Sequence, residues 1–279
     1  MANMAIVGIP ALVGSYDNYI WILHQTTDKQ AGAWVIDPGE SAQVIKYLQQ
    51  QQLSLKGILI THRHFDHVDG VAALKEFAPQ AKVFGPKQTP LELIESRLVE
   101  GDEVELYTNY QLKVLGTPGH TEDHISYYND QHLFCADTLF TAGCGRILGG
   151  TTAEYAESIV KLRQLPDNLA FYCAHEYTRD NLDFACLVDP NNTRLQERSQ
   201  HFAIDYPLQL QTAPSKLELE KQTNPFMRFD QEPLKSWLVS QGAEESNDSL
   251  FSTLRSIKDR YDQFGLESIQ DCLLKSHQP

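Results

Sequence analysis

The chain has 279 residues, of which 42% are hydrophobic, 22% charged and 10% aromatic. That composition is globular, and it excludes a disordered, collagen-like or coiled-coil chain. Acids outnumber bases 37 to 23, for a net charge of −14, which excludes holding nucleic acid or an anionic membrane by bulk electrostatics.

The first two-thirds read as strands punctuated by turns and a few helices. Ile20–His24 and Ala33–Asp37 are predicted paired strands, ending at the turn Asp37-Pro38-Gly39. Ser41 is a candidate cap for a helix running to about Gln52, with Val44, Ile45 and Leu48 on its apolar face. Residues 57–61 (GILIT) form the short apolar run of a buried strand. Val68–Phe77 reads as a helix. Strands follow at Lys82–Phe84, Glu103–Tyr107, Gln111–Leu115, His124–Tyr128 and His132–Ala136. Thr152–Leu165 is a helix with Tyr155, Ile159 and Leu162 at helical spacing, and Leu169–Ala174 is the last strand.

After His175 the texture turns helical, at Arg179–Val188, Thr193–Ile204, Glu232–Gln241 and Asn247–Phe264. Tyr206-Pro207 and the stretch from Thr212 to Ser215 are the expected linkers. The reading is a mixed α/β domain over residues 1–175, then a helical domain over 176–279. No basic residue precedes Lys29, and Gly8, Pro10, Gly14 and Asp17 interrupt the N-terminal apolar stretch, so it does not read as a signal peptide. No apolar run approaches the roughly 20 residues of a membrane helix. The five cysteines are widely spaced, with no CxxC pair. A disulfide framework or thiolate zinc site is not expected, and a reducing, cytoplasmic location fits better.

The chemistry concentrates at His62-Arg63-His64-Phe65-Asp66-His67, directly after a predicted buried strand. Imidazole and carboxylate are good ligands for Zn or Fe. In an extended loop, His62, His64 and Asp66 would project to one side and His67 elsewhere, so the loop could serve two neighbouring ions. His120 in the turn Thr117-Pro118-Gly119-His120-Thr121, and Asp37, Asp137 and His175 at strand ends, are further candidates. Each alone is a weak signal, since His or Asp at a strand end is often a cap or turn residue.

These residues resemble those of the metallo-β-lactamase superfamily and, within it, the glyoxalase II (hydroxyacylglutathione hydrolase) family. The similarity runs through Asp17-Asn18-Tyr19-Ile20, Ile36-Asp37-Pro38-Gly39, the His-rich loop, Gly119-His120-Thr121 and Ala136-Asp137-Thr138-Leu139-Phe140 with Gly143-Cys144-Gly145. It continues through residues 174–178 (AHEYT), 224–228 (NPFMR) and 254–259 (LRSIKD). The resemblance implies an α+β fold, an αββα sandwich with a C-terminal helical domain. It implies two divalent metal ions, Zn foremost with Fe or Mn as alternatives, because this donor set does not choose between them. One ion would take His62, His64 and His120. The other would take Asp66, His67 and His175, with Asp137 bridging. Asp37 is read as a turn or supporting residue.

The implied reaction is hydrolysis of S-(2-hydroxyacyl)glutathione thioesters by a dinuclear-metal-bound hydroxide, with S-D-lactoylglutathione as the family's substrate in methylglyoxal detoxification. Asp66 would orient the hydroxide or accept its proton. The resemblance assigns Arg146, Tyr177, Arg255 and Lys258 to the glutathione moiety. Taken without it, Arg255 and Lys258 read as a solvated helix face and Tyr177 as a packed aromatic. An apolar stripe of Leu250, Leu254, Ile257, Tyr261 and Phe264 would seat their helix.

After Arg146 the family's aromatic residue and acid are replaced by Leu148 and Gly149, which implies altered substrate affinity with the chemistry retained. Residues 231–246 carry no functional reading. A monomer is expected. The competing readings are another metallohydrolase of the same fold, such as a lactonase, and a mono-iron glutathione persulfide dioxygenase; a non-enzymatic metal- or glutathione-binding module stands behind both. Metal content and oxygen dependence separate these classes.

Overall fold

The computed structural model describes residues 4–205 and 211–274. The Tyr206-Pro207 linker therefore lies outside the described residues. The chain forms two compact units interleaved in sequence. The first takes the chain up to Gly116, then Thr121–Ala136 and Cys173–Glu176; the second takes Thr117–His120, Asp137–Tyr172 and the chain from Tyr177 onward.

The first unit contains β1 (Met4–Ala11), β2 (Asn18–Gln25), β3 (Ala33–Ile36), α1 (Ala42–Gln51), β4 (Leu55–Leu59), α2 (Phe65–Val68), α3 (Val71–Phe77), β5 (Lys82–Pro86) and β6 (Ser96–Leu98). It also holds β7 (Glu103–Tyr107), β8 (Tyr110–Gly116), β9 (Ile125–Tyr128) and β10 (His132–Ala136). One sheet has the order β1-β2-β3-β4-β5-β6. The first three strands are antiparallel and the rest pair parallel. Parallel neighbours need crossovers, which α1 supplies between β3 and β4, and α2 with α3 between β4 and β5. A buried cluster of Val35, Val44, Leu48, Ile58, Val71, Leu74 and Val83 packs the crossover helices on the sheet.

In the second sheet, β7, β8, β9 and β10 are successive antiparallel neighbours. Buried polar tips pin it to the first sheet. Trp34 Nε1 donates to the Leu106 carbonyl (3.0 Å), Tyr107 Oη to that of Leu23 (2.9 Å) and Tyr127 Oη to that of Ile60 (2.7 Å).

The second unit contains α4 (Thr152–Arg163), most of β11 (Ala170–Cys173), α5 (Thr178–Val188), α6 (Thr193–Asp205), β12 (Ser215–Lys216), α7 (Leu217–Thr223), α8 (Pro225–Arg228), α9 (Leu234–Ser240), α10 (Asn247–Phe264) and α11 (Gln270–Leu274). Its aromatic core joins helices distant in sequence, with Phe251 5.0 Å from Tyr155, 5.8 Å from Phe226 and 5.7 Å from Phe229 between ring centroids. Thr151 caps α4 with a full capping box to Glu154.

Several local expectations need correction. Ser41 stands at the N-cap of α1, but its hydroxyl makes no capping bond. The helix expected over Val68–Phe77 is two helices broken at Gly70, whose N–H goes to the Pro38 carbonyl (2.8 Å). β1, β6, α7 and α8 were not foreseen. Phe264 is 65% exposed and does not seat α10, whereas Leu250, Leu254 and Ile257 are buried as expected.

Candidate metal centre

Two elements of the parallel sheet deliver the first ligand candidates. β3 ends at Ile36 and is followed by Asp37; β4 ends at Leu59 and is followed by the His-rich loop. The carboxyl ends of parallel strands are where such folds bind ligands. The loop is extended only as far as His64 (φ −63°, ψ 146°), and α2 begins at Phe65. The two-residue alternation therefore stops before Asp66. Asp66 groups with its neighbour His67 and with His175, all three buried and with ligand atoms within 4.8 Å of one another. Gly39 is required beside this turn, because a Cβ there would lie 1.9 Å from the Asp66 carbonyl oxygen.

His62, His120 and His175 are each held through Nδ1. His175 Nδ1 donates to the Tyr16 carbonyl (2.7 Å), leaving Nε2 3.6 Å from Asp66 Oδ2. His67 Nδ1 lies 3.1 Å from Asp37 Oδ2 and its Nε2 3.4 Å from Asp66 Oδ2. Thr61 Oγ1 donates to Asp37 Oδ2 (2.6 Å) and so accepts from His62 Nδ1 (3.0 Å). This leaves His62 Nε2 3.1 Å from His64 Nδ1. Asn18 Nδ2 donates to the Asp66 carbonyl (3.2 Å) and to Oδ2 (3.1 Å).

In the second unit, His120 Nδ1 donates to the Arg146 carbonyl (2.6 Å), and its Nε2 stands 3.2 Å from Asp137 Oδ2. Asp137 is held through its own carbonyl, which accepts from Gly145 N (3.1 Å) and Tyr155 Oη (2.8 Å).

This donor set fits divalent ions. Ligands about 2.1 Å from a tetrahedral centre lie about 3.4 Å apart, and the four donor pairs span 3.1–3.6 Å. Holding Nδ1 on a carbonyl or hydroxyl selects the tautomer whose Nε2 lone pair can ligate. The His/Asp cluster is thus suited to two metal ions.

The substrate candidates all lie in the second unit. Arg255 and Lys258 are not a solvated face; they are 3% and 4% exposed. Arg255 donates to the Cys144 carbonyl (3.2 Å), pairs with Asp259 (3.0 Å) and Asp262 (3.2 Å), and lies 5.2 Å over the Phe226 ring. Burial opposes the Arg255 charge, but Cys144, Asp259 and Asp262 together outweigh it and hold its pKa above the ordinary value. Lys258 pairs with Asp262 and sits 5.4 Å from the Phe184 ring centroid. Its pKa is lowered, because burial outweighs Asp262. Burial pushes the Cys144 thiol up to about 11, so it is a thiol at neutral pH.

Arg146 is mostly exposed, 4.0 Å from both Asp259 and Asp262. Tyr177 packs edge-on to Phe140 at 5.5 Å. Leu148 has an exposed side chain and uses its N–H on the His120 carbonyl (2.7 Å). Gly149 has φ +137°, which explains a glycine there. None of the five cysteines is in a disulfide, and among the described residues no helix is long and apolar enough to cross a membrane.

Some supporting residues escaped the sequence reading. His124 stacks on His62 at 4.8 Å. Arg63 reaches out of the His-rich loop to Glu122 (2.5 Å) and Asp123 (3.2 Å). Asn224 Nδ2 donates to the carbonyls of Phe140 (3.1 Å) and Gly143 (3.0 Å). The motifs around Asn18 and Asn224 were visible, but their hydrogen-bond partners are distant in sequence.

Residues 25–175 match the family model described as "Metallo-beta-lactamase superfamily", which sets the class. Residues 176–261 match "Hydroxyacylglutathione hydrolase C-terminus". The chain is 42% identical to a hydroxyacylglutathione hydrolase of Hydrogenovibrio crunogenus, over 93% of this chain and 96% of that one. It is 40% identical to one of Photobacterium profundum, over 92% and 100%. Among solved structures, a BLEG-1 B3 metallo-β-lactamase superposes with TM-score 0.59 at 23% identity, covering 80% of this chain and 99% of that one. ETHE1 from Myxococcus xanthus superposes with TM-score 0.55 at 26% identity, covering 79% and 96%. The chain belongs to the hydroxyacylglutathione hydrolase family of the metallo-β-lactamase superfamily.

Proposed function

We propose that the protein hydrolyses S-(2-hydroxyacyl)glutathione thioesters, with S-D-lactoylglutathione giving D-lactate and glutathione. One observation carries this reading: relatives named hydroxyacylglutathione hydrolase align over more than nine-tenths of both chains, so the match includes the His/Asp cluster and the C-terminal helices alike. The functional division runs at residues 175 and 176, with a metal-binding part before it and a substrate-binding part after it.

His62, His64 and His120 would hold one ion, and Asp66, His67 and His175 the other, with Asp137 available to both. Zn is the favoured metal. When bound, such ions bring the pKa of water from 15.7 towards about 7 and polarise a carbonyl oxygen. The residues of the chain do the rest. Asp66, tethered by Asn18, orients the attacking water and takes its proton. Water adds to the thioester carbonyl carbon, the C–S bond breaks, and glutathione leaves as a thiolate. A thiol of pKa near 8.5 leaves without a proton donor, so no general acid is needed. Arg146 and Tyr177 contact the glutathione portion, and Arg255 and Lys258 supply the cationic field for its carboxylates. The protein acts as a cytoplasmic monomer.

The test is loss of thioester absorbance with S-D-lactoylglutathione, with metals counted in the same sample. Turnover with about two metals per chain is expected; no turnover with both metals bound overturns the reading. His62→Ala and Asp137→Ala are each expected to lose turnover while keeping the circular-dichroism spectrum. Near-normal activity of either variant after metal repletion removes that residue from the ligand set.

A further inference from the structure

Large apolar side chains stay on the surface where something else covers them or where there is too little polar surface to replace them. Among the described residues of the first unit, five are exposed: Val13, Tyr16, Phe65, Phe77 and Val99. Two of the five meet, and a third lies close to one of them in sequence. Tyr16 is 42% exposed and Phe65 48%, and their rings meet edge-to-face at 5.2 Å. Val13, 74% exposed, stands in the same short loop as Tyr16.

That loop is tightly built. Leu12 has φ +50°, and its carbonyl accepts from the N–H groups of Ser15, Tyr16 and Asp17 at 3.0–3.2 Å. Asp17 Oδ1 accepts from Gly14 N (2.8 Å), and Glu40 Oε2 accepts from Leu12 N (2.8 Å). A loop with this many internal bonds holds Tyr16 in place and keeps its ring out of the core.

Both residues are joined to candidate ligands through the main chain. The Tyr16 carbonyl receives His175 Nδ1 at 2.7 Å. The next residue, Asp17, accepts from Glu176 N (3.0 Å). Phe65 sits in the chain between His64 and Asp66 and opens α2. The two residues therefore adjoin the His/Asp cluster through the main chain from two separate segments, and their exposed rings are not needed to fill the core.

We infer that Tyr16 and Phe65, with Val13 beside them, form an apolar lip that receives the acyl group of the thioester and sets the enzyme's acyl preference. The inference rests on the thioester-hydrolase reading. It follows from a division of chemistry. The glutathione half carries charges and calls for cations, which lie in the second unit on Arg146, Arg255 and Lys258. The lip is uncharged and aromatic, and it matches an apolar or aromatic acyl substituent. The substrate class is 2-hydroxyacyl thioesters bulkier than lactoyl, such as S-mandeloylglutathione.

The test compares kcat/KM for S-D-lactoyl- and S-mandeloylglutathione in the metal-replete protein. Phe65→Ala and Tyr16→Ala are each expected to lower the mandeloyl-to-lactoyl ratio roughly tenfold, the scale of one hydrophobic contact in substrate discrimination. Tyr16→Phe, which keeps the ring, retains the ratio. A second readout is independent of turnover: calorimetric affinity for the stable thioether S-benzylglutathione against S-methylglutathione, in which the two alanine variants lose the benzyl preference. Turnover with an unchanged ratio and an unchanged benzyl preference overturns the lip alone. No turnover of either thioester by the wild-type protein with both metals bound overturns the thioester reading, and the lip with it.

Discussion

Asp37 is a carboxylate whose work is done one bond away from the chemistry. Its left-handed backbone (φ +51°) is tolerated because Asp bonds locally in that conformation. Its two oxygens accept from Thr61 N (2.8 Å) and Thr61 Oγ1 (2.6 Å), and Oδ2 faces His67 Nδ1 at 3.1 Å. One side chain thus ties the end of β3 to the end of β4 and sets a carboxylate beside His67. Asp37→Asn cannot reproduce this acceptor pattern. It is expected to weaken metal affinity roughly 10–100-fold, as loss of such a supporting partner does. Competition with a chromophoric chelator measures this, and an unchanged metal dissociation constant contradicts it.

At the scale of elements, the turn carrying Cys144 is clasped from α7. Glu220 is fully buried; its Oε2 accepts from Ala142 N (2.8 Å), and its Oε1 accepts from Arg198 (2.5 Å) and Ser215 Oγ (2.9 Å). Asn224, one turn on, holds the Phe140 and Gly143 carbonyls. Removing one partner of a buried ion pair costs about 3–5 kcal/mol, because the other charge stays buried. Glu220→Gln is therefore expected to lower the urea midpoint by that equivalent. A shift within experimental error means that Arg198 finds another partner.

Helix α10 carries a second expectation. Lys258→Ala, alone and with Arg255→Ala, raises KM for glutathione thioesters more than it lowers kcat, as loss of uniform binding does. The double variant also loses the contact with the Cys144 carbonyl, so the single Lys258 change is the cleaner reading. An unchanged KM takes both residues out of substrate binding.

Over the whole molecule, buried phenols set an alkaline limit. Burial raises the pKa of Tyr127 in the first unit and Tyr155 in the second well above the usual value, and burial pushes Tyr172 up to about 12. The unfolded chain releases these protons near pH 10. Above that pH the folded state binds more protons than the unfolded one, so stability falls as pH rises. Below it the contribution is intact. Each fully buried phenol costs about 1.4 kcal/mol per further pH unit. The urea midpoint is expected to be level up to about pH 9 and to drop beyond about pH 10. Tyr127→Phe and Tyr155→Phe should each make that drop shallower, and an equal slope in the variants contradicts the assignment.

The sequence by itself determined most of the elements and the identity of the donor residues. Periodicity placed α4 and α10, because each buries one face and that face is written in the spacing; β2 and β3, buried on both faces, were read from apolar runs ending in turn residues. The run from His62 to His67 marked the metal chemistry, because so many ligand-type side chains in six positions have no structural use. Tertiary structure alone decided how those donors divide. α2 begins at Phe65 and turns Asp66 away from the His62 and His64 alternation, and that depends on the Pro38–Gly39 turn packing against Gly70 and Asp66. Two-residue strands and one-turn helices such as β12 and α8 carry too few residues to show a period. The burial of Arg255 and Lys258, the roles of Asn18, Asn224 and Glu220, and the exposure of Tyr16 and Phe65 rest on contacts between segments far apart in the chain. Local sequence records which groups are available; only the packed chain brings a carbonyl to His175 Nδ1 or a carboxylate to His67.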